Sequence, residues 1–134
     1  MIRTRGLKDA DKKDFIPKSN RNRPETRIYP RYITVHETAN KDAGADAEMH
    51  SRYAKGGAED AETSWHYSID DKQIIQHLPI TEKGWHARGG NSVSIGIEIC
   101  VNSDADFGAD GHFGEETEEA VEELQGRYGL VVMD

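Results

Sequence analysis

The sequence predicts an α/β fold, a central mixed β-sheet flanked by helices, and three observations predict it. "YITVH" at 32–36 and "SIGIEICV" at 94–101 alternate apolar and polar residues with the two-residue period of strands. "SWHYSIDDKQIIQHLP" at 64–79 places strand-forming runs on either side of a polar Asp70-Asp71-Lys72 turn, the pattern of a hairpin. Apolar residues at helical spacing over 43–55 and 115–128 supply the helices.

Residues 1–31 are polar and contain Pro17, Pro24 and Pro30, which predicts an irregular lead-in. Within it 1–13 reads as a polar arm and 14–134 as one folded domain, with Phe15 and Ile16 pinning the lead-in to the body. The strand at 32–36 puts Ile33 and Val35 on one face and Tyr32, Thr34 and His36 on the other. The helix at 43–55 has Ala45, Met49 and Tyr53 as its buried stripe, His50 beside that stripe at the surface or boundary, and Gly56-Gly57 as its stop. In the hairpin, a strand at 65–69 turns Trp65, Tyr67 and Ile69 one way and His66 and Ser68 the other, and the return strand covers 73–78. "TEKGWHARGGNSV" at 81–93 is a loop by its glycines, and loops on a rigid scaffold often carry function.

The strand at 94–101 then divides Ile95, Ile97, Ile99 and Val101 from Ser94, Gly96, Glu98 and Cys100. The second of these faces is small and polar, which suits a cleft floor. The helix at 115–128 buries Val121, Leu124 and Tyr128, with acids in its first turn where the helix dipole favours them, and Gly129 closes it. "LVVMD" begins a further strand.

A chain of 134 residues forms one domain with a core that needs no metal or disulfide support. No apolar run approaches a membrane span and the N-terminus has no signal-peptide pattern, so the expectation is a chain made in the cytoplasm, without a signal peptide and without membrane insertion. Cys100, the single cysteine, excludes an internal disulfide and reads as a small buried hydrophobe. The net charge of −8, from 17 Lys and Arg against 25 Asp and Glu, argues against nucleic acid as a partner. Residues 1–31 are nonetheless basic, which fits a solvated arm, and 104–123 are acidic.

His36 and Glu98 each sit on a strand whose opposite face is apolar, and neighbouring strands would bring them to one side of the sheet. Imidazole holds zinc and a carboxylate accepts a proton from metal-bound water, so the pair suits metal-assisted hydrolysis. The local metal signal is weak: there is no H-E-x-x-H or C-x-x-C. A buried, hydrogen-bonded glutamate is the alternative reading of Glu98.

In order, "DFIPKSNRNRP", "YITVHETAN", "TSWHYSIDDKQIIQHLP" and "GWHARGGNSVSIGIEIC" closely resemble the type-2 family of zinc-dependent N-acetylmuramoyl-L-alanine amidases, which includes phage endolysins, Bacillus-type autolysins and peptidoglycan recognition proteins. The resemblance implies a bacterial or phage chain that acts at the cell wall on peptidoglycan, with zinc as cofactor. His36 matches the family's first zinc ligand. Glu98 matches the glutamate that activates the zinc-bound water against the amide between N-acetylmuramic acid and L-alanine. His66, His86 and Asn91 fall in motifs lining the substrate groove, with Trp85 as a wall for sugar or peptide. Trp65 stands where many relatives have a tyrosine. His77 and His112 have no such role and read as surface residues.

Against that family the sequence departs at "LVVMD", where relatives continue to a second zinc histidine and a cysteine or aspartate ligand. The expectation is therefore an amidase domain lacking its C-terminal zinc-ligand segment. Three readings stay open: a fragment of an active enzyme, a remnant that binds no zinc, or a short form that recruits His66, His86 or Asp134. A non-catalytic peptidoglycan-binding module is the rival function.

Overall fold

The computed structural model describes residues 11–38, 42, 44–58, 63–70, 73–100 and 115–133. Among these, six strands form one sheet: β1 (Asp11–Lys13), β2 (Tyr32–Glu37), β3 (Tyr67–Ile69), β4 (Ile74–Gln76), β5 (Ser94–Ile99) and β6 (Val131–Met133), in the order β1-β4-β3-β5-β2-β6. The β3–β4 hairpin is antiparallel and every other neighbouring pair is parallel. Helix α1 (Ala47–Lys55) packs on β3 and β4, and α2 (Glu115–Tyr128) leads into β6.

Strand alternation gives the sheet two unlike faces. On one, Ile33, Tyr67, Ile69, Ile74, Ile95, Ile97 and Ile99 close over Leu124 of α2, with Val35, Val121, Tyr128 and Leu130 at the margin. Each such fully buried isoleucine contributes about 1.5–3 kcal/mol, so this layer supplies the main driving force for folding. On the other face, Ala47 of α1 packs with Ile75 and Cys100, and Ala54 packs with Ile16, Trp65 and Leu78. The expected α/β architecture, a mixed sheet with a helix on each face, is the one observed. Cys100 is a buried small residue, and Ile16 does pin the lead-in to the body, as expected.

Several local expectations are corrected. The lead-in is not wholly irregular: Asp11–Lys13 join the sheet edge beside β4, because a three-residue strand needs only backbone partners and leaves no alternation to read. Helix α1 starts at Ala47, not 43, because the Asp46 carboxylate caps it by accepting from the Met49 N–H at 2.9 Å. Its buried residues are Ala47, His50, Ser51 and Ala54, so the stripe is rotated from the expected one and Tyr53 is 40% exposed. Strand β3 begins at Tyr67, so alternation does not extend back to Trp65, whose side chain leaves the Tyr67 and Ile69 face. His77, expected at the surface, is fully buried. Val101, His112 and Asp134 lie outside the described residues.

Candidate active site

The parallel β2–β5 pair sets His36 and Glu98 as register partners, and the β3–β5 pair adds Ser68 on the other side of Glu98. Register partners in a parallel pair point to the same face, so His36, Glu98 and Ser68 form one row across three strands. The next row toward the strand starts holds Thr34 and Gly96. Glycine at 96 is required by a close approach: a Cβ there would stand 2.6–2.8 Å from the His86 ring. The His86 ring therefore packs directly over the strand at Gly96, and its Nδ1 is 3.3 Å from His36 Nε2.

Burial sets the charge states. It lowers the His36 pKa below that of a free histidine and, with the neighbouring imidazoles, takes His86 to about 3, so both rings are neutral near pH 7. Glu98 moves the other way: burial first, and the Glu37 carboxylate second, raise it to about 7. A carboxyl poised near neutral pH beside a neutral imidazole can take up and return a proton.

One cleft opens onto Glu98 of this row and another onto His86 beside it. The first, about 350 Å³, is lined by Glu98, Glu37, Thr38, Met49, His50, Tyr53 and Trp65. The second, about 540 Å³, is lined by Lys83, Trp85, His86, Ala87, Arg88 and Asn91, with the Lys83 ammonium 4.7 Å above the Trp85 ring. His86 of the second touches His36, the register partner of Glu98 in the first. One tryptophan thus walls each cleft.

Asn91 organises the second cleft from beneath. Its Oδ1 accepts from the backbone N–H groups of His86 and Ala87, at 2.9 and 2.6 Å, and it is 5% exposed. The 3-10 turn Arg88–Gly90 carries Arg88 at φ +49°, a conformation that glycine tolerates better, and presents it outward.

His66 does not face either cleft. It is fully buried, its Nδ1 accepts from the Gly96 N–H at 3.0 Å, and its Nε2 donates to the Glu82 carbonyl at 2.7 Å. Both ring nitrogens are committed, and burial drops its pKa to about 4. The groove-lining expectation for His66 is corrected accordingly: it braces the β5 backbone under His86. Strand alternation could not reveal this, because the acceptor at Glu82 lies on a separate loop.

Of the histidines considered as substitute metal donors, only His86 has a ring nitrogen close to His36. Their 3.3 Å spacing suits a hydrogen bond and also the edge between two nitrogens on one tetrahedral zinc with bonds of about 2.0–2.1 Å. Among the described residues no three His, Cys, Asp or Glu side chains stand together as a metal cluster. The described donors therefore fit part of a zinc site and do not complete one.

A neutral imidazole and a carboxyl poised near pH 7, at the ends of parallel strands in an α/β domain, are the parts of a hydrolytic site. The sequence pattern of the N-acetylmuramoyl-L-alanine amidases matches residues 25–130. The chain belongs to that family. It is 55% identical over 101 residues to the N-acetylmuramoyl-L-alanine amidase CwlH of Bacillus subtilis strain 168, covering 72% of this chain and 40% of CwlH. It is likewise 55% identical over 98 residues to XlyA of the same organism, covering 70% of this chain and 32% of XlyA. The chain thus spans less than half the length of these relatives. The solved catalytic domain of XlyA superposes with a TM-score of 0.74 at 44% identity, covering 91% of this chain and 82% of that one.

Proposed function

We propose that this domain hydrolyses the amide bond between N-acetylmuramic acid and L-alanine in peptidoglycan, with Glu98 as the base that activates water and His36 as one ligand of zinc. The observation that carries the reading is the register pairing of His36 with Glu98, which lines a cleft and whose carboxyl is raised to about 7. Its family membership supports the substrate class. Zinc, when bound, would supply Lewis-acid polarisation of the scissile carbonyl.

The chain's own residues account for the remaining steps. Glu98 in its ionised form takes a proton from the attacking water and, as the carbon–nitrogen bond breaks, returns it to the leaving L-alanine nitrogen. A pKa near the working pH allows both halves of that cycle. Trp65 lines the same cleft as Glu98 and gives it an aromatic wall. Trp85, Lys83 and Arg88 line the neighbouring cleft, where an aromatic face suits a sugar or peptide plane and the cations suit the carboxylates of the stem peptide. No membrane-spanning helix occurs among the described residues, and the proposed place of action is the cell wall.

Zinc content and lysis of purified cell wall, measured together on the wild-type chain, Glu98→Gln and His36→Ala, test the proposal. About one zinc per chain, with wall lysis lost in both variants and zinc lost only in His36→Ala, is the expected result. Wall binding without lysis in the wild type would favour the non-catalytic module instead.

A further inference from the structure

A buried polar line runs behind the Glu98 cleft and has no part in the proposed chemistry. The Trp65 indole Nε1–H donates to Ser68 Oγ at 2.8 Å, and Ser68 Oγ lies 2.7 Å from His77 Nε2. Ser68 and His77 are fully buried and Trp65 is 4% exposed. The His77 and Trp65 rings also meet edge to face, with centroids 5.6 Å apart. His77 sits beside Asp14, which receives Ser51 Oγ at 2.8 Å and Lys55 Nζ at 2.9 Å from α1. The backbone on each side is held too: Ile16 N–H donates to the His77 carbonyl, and His77 N–H donates to the His66 carbonyl.

Apolar residues would fill this space at lower cost, since a buried polar pair must recover its lost hydration. What the polar pair adds is direction. An indole N–H can only donate, so Ser68 Oγ accepts from it, and the 2.7 Å contact with His77 Nε2 fixes where that oxygen sits whichever of the two carries the shared proton. Held at that point, the Ser68 oxygen leaves the indole one orientation in which its N–H is satisfied. The same tryptophan lines the cleft with Glu98, and Ser68 is the register partner of Glu98.

We propose that Ser68 and His77 are positioning residues, which lock the Trp65 indole as the rigid wall of the Glu98 cleft and thereby set how tightly that cleft holds a muropeptide. The binding part rests on the peptidoglycan reading above; the locking part does not.

The test uses the 15N-labelled full chain. Exchange of the Trp65 indole N–H with solvent is followed by NMR, with the Trp85 indole as internal reference, and soluble muropeptide binding is titrated alongside. Ser68→Ala and His77→Leu are expected to speed Trp65 indole exchange at least tenfold and to weaken muropeptide binding about tenfold, leaving the Trp85 signal and the far-UV spectrum unchanged. His77→Gln, which keeps a hydrogen-bond partner for the serine hydroxyl, is expected to restore both. Unchanged Trp65 exchange in Ser68→Ala, or no rescue by glutamine, would overturn the proposal. Altered exchange with unaltered muropeptide affinity would overturn its binding part. A wild type that binds no muropeptide, yet shows the expected exchange pattern, would refute the peptidoglycan reading while upholding the locked indole. Should the variants fail to fold, indole exchange on the wild type decides the locking: a Trp65 N–H that exchanges at least tenfold more slowly than that of Trp85 supports it, and equal or faster exchange overturns it.

Discussion

His36 and Glu98 are register partners on adjacent parallel strands, and the electrostatics of the site follow from that pairing. Burial at the same level of the sheet pushes both toward their neutral forms, lowering the pKa of the imidazole and raising that of the carboxyl. Glu98 therefore costs stability at neutral pH. Its folded pKa of about 7 exceeds the unfolded value, so its contribution is fully present below about pH 4.5 and is lost as pH rises through 7. In metal-free buffer, Glu98→Gln should be more stable than wild type by about 3 kcal/mol at pH 8, and equal to it near pH 4. Urea unfolding at the two pH values measures the difference, and a destabilised variant at pH 8 would count against a strained carboxyl.

The buried histidines predict the opposite pH response. His66, His77 and His86 fall to about 4, 3 and 3, so the unfolded chain binds protons first on acidification. Stability from these groups is complete above about pH 6.5 and drains as pH falls, at about 1.4 kcal/mol per unit for each ring. Glu98 offsets roughly one ring between pH 4.5 and 7. A net loss of about 3 kcal/mol per pH unit is expected between pH 6.5 and 5, to order of magnitude. Denaturant midpoints across that window test it; a flat profile would mean that the rings are hydrated in solution.

Gly96→Ala should disturb the site without replacing a titratable group. The new methyl would meet the His86 ring, which must move off the strand and away from His36. Overpacking of this kind costs about 1–3 kcal/mol. Chemical shifts of the His36 and His86 rings should change together while those of His77 stay put.

Arg23 joins the lead-in to the loop that carries Glu82. Its guanidinium contacts both Glu82 oxygens, at 2.9 and 2.8 Å, and the Ile16 carbonyl at 2.8 Å, and it is 7% exposed. The Arg23 hydrogen bond in turn holds Glu82 below the usual carboxylate range. Arg23→Ala should destabilise by about 3 kcal/mol, and Arg23→Lys by less, since a point charge keeps the attraction but loses the fork. Thermal unfolding of the two variants provides the comparison.

Strand alternation was enough to place Ile33, Ile95 and Ile97 in the core and to put His36 and Glu98 on the opposite face, and helical spacing placed Leu124, because those periods are long enough to read. It could not locate β1, whose three residues pair only through the backbone. Nor could it distinguish among the histidines. His66 and His77 look like His86 in sequence, yet the first two are committed to the Glu82 carbonyl and to Ser68, partners brought near by the hairpin and the following loop. Their roles depend on tertiary acceptors, and a one-dimensional pattern carries no record of those.

Digestion of purified peptidoglycan followed by mass spectrometry of the soluble products tests the central claim most directly. Release of stem peptides with a free L-alanine amino terminus, leaving the N-acetylmuramic acid lactyl group intact, is the result predicted for the wild-type chain, and Glu98→Gln should release none. Products with new reducing sugar ends, peptides cut within the stem, or equal release by Glu98→Gln would contradict the assignment of amide hydrolysis to the His36–Glu98 row.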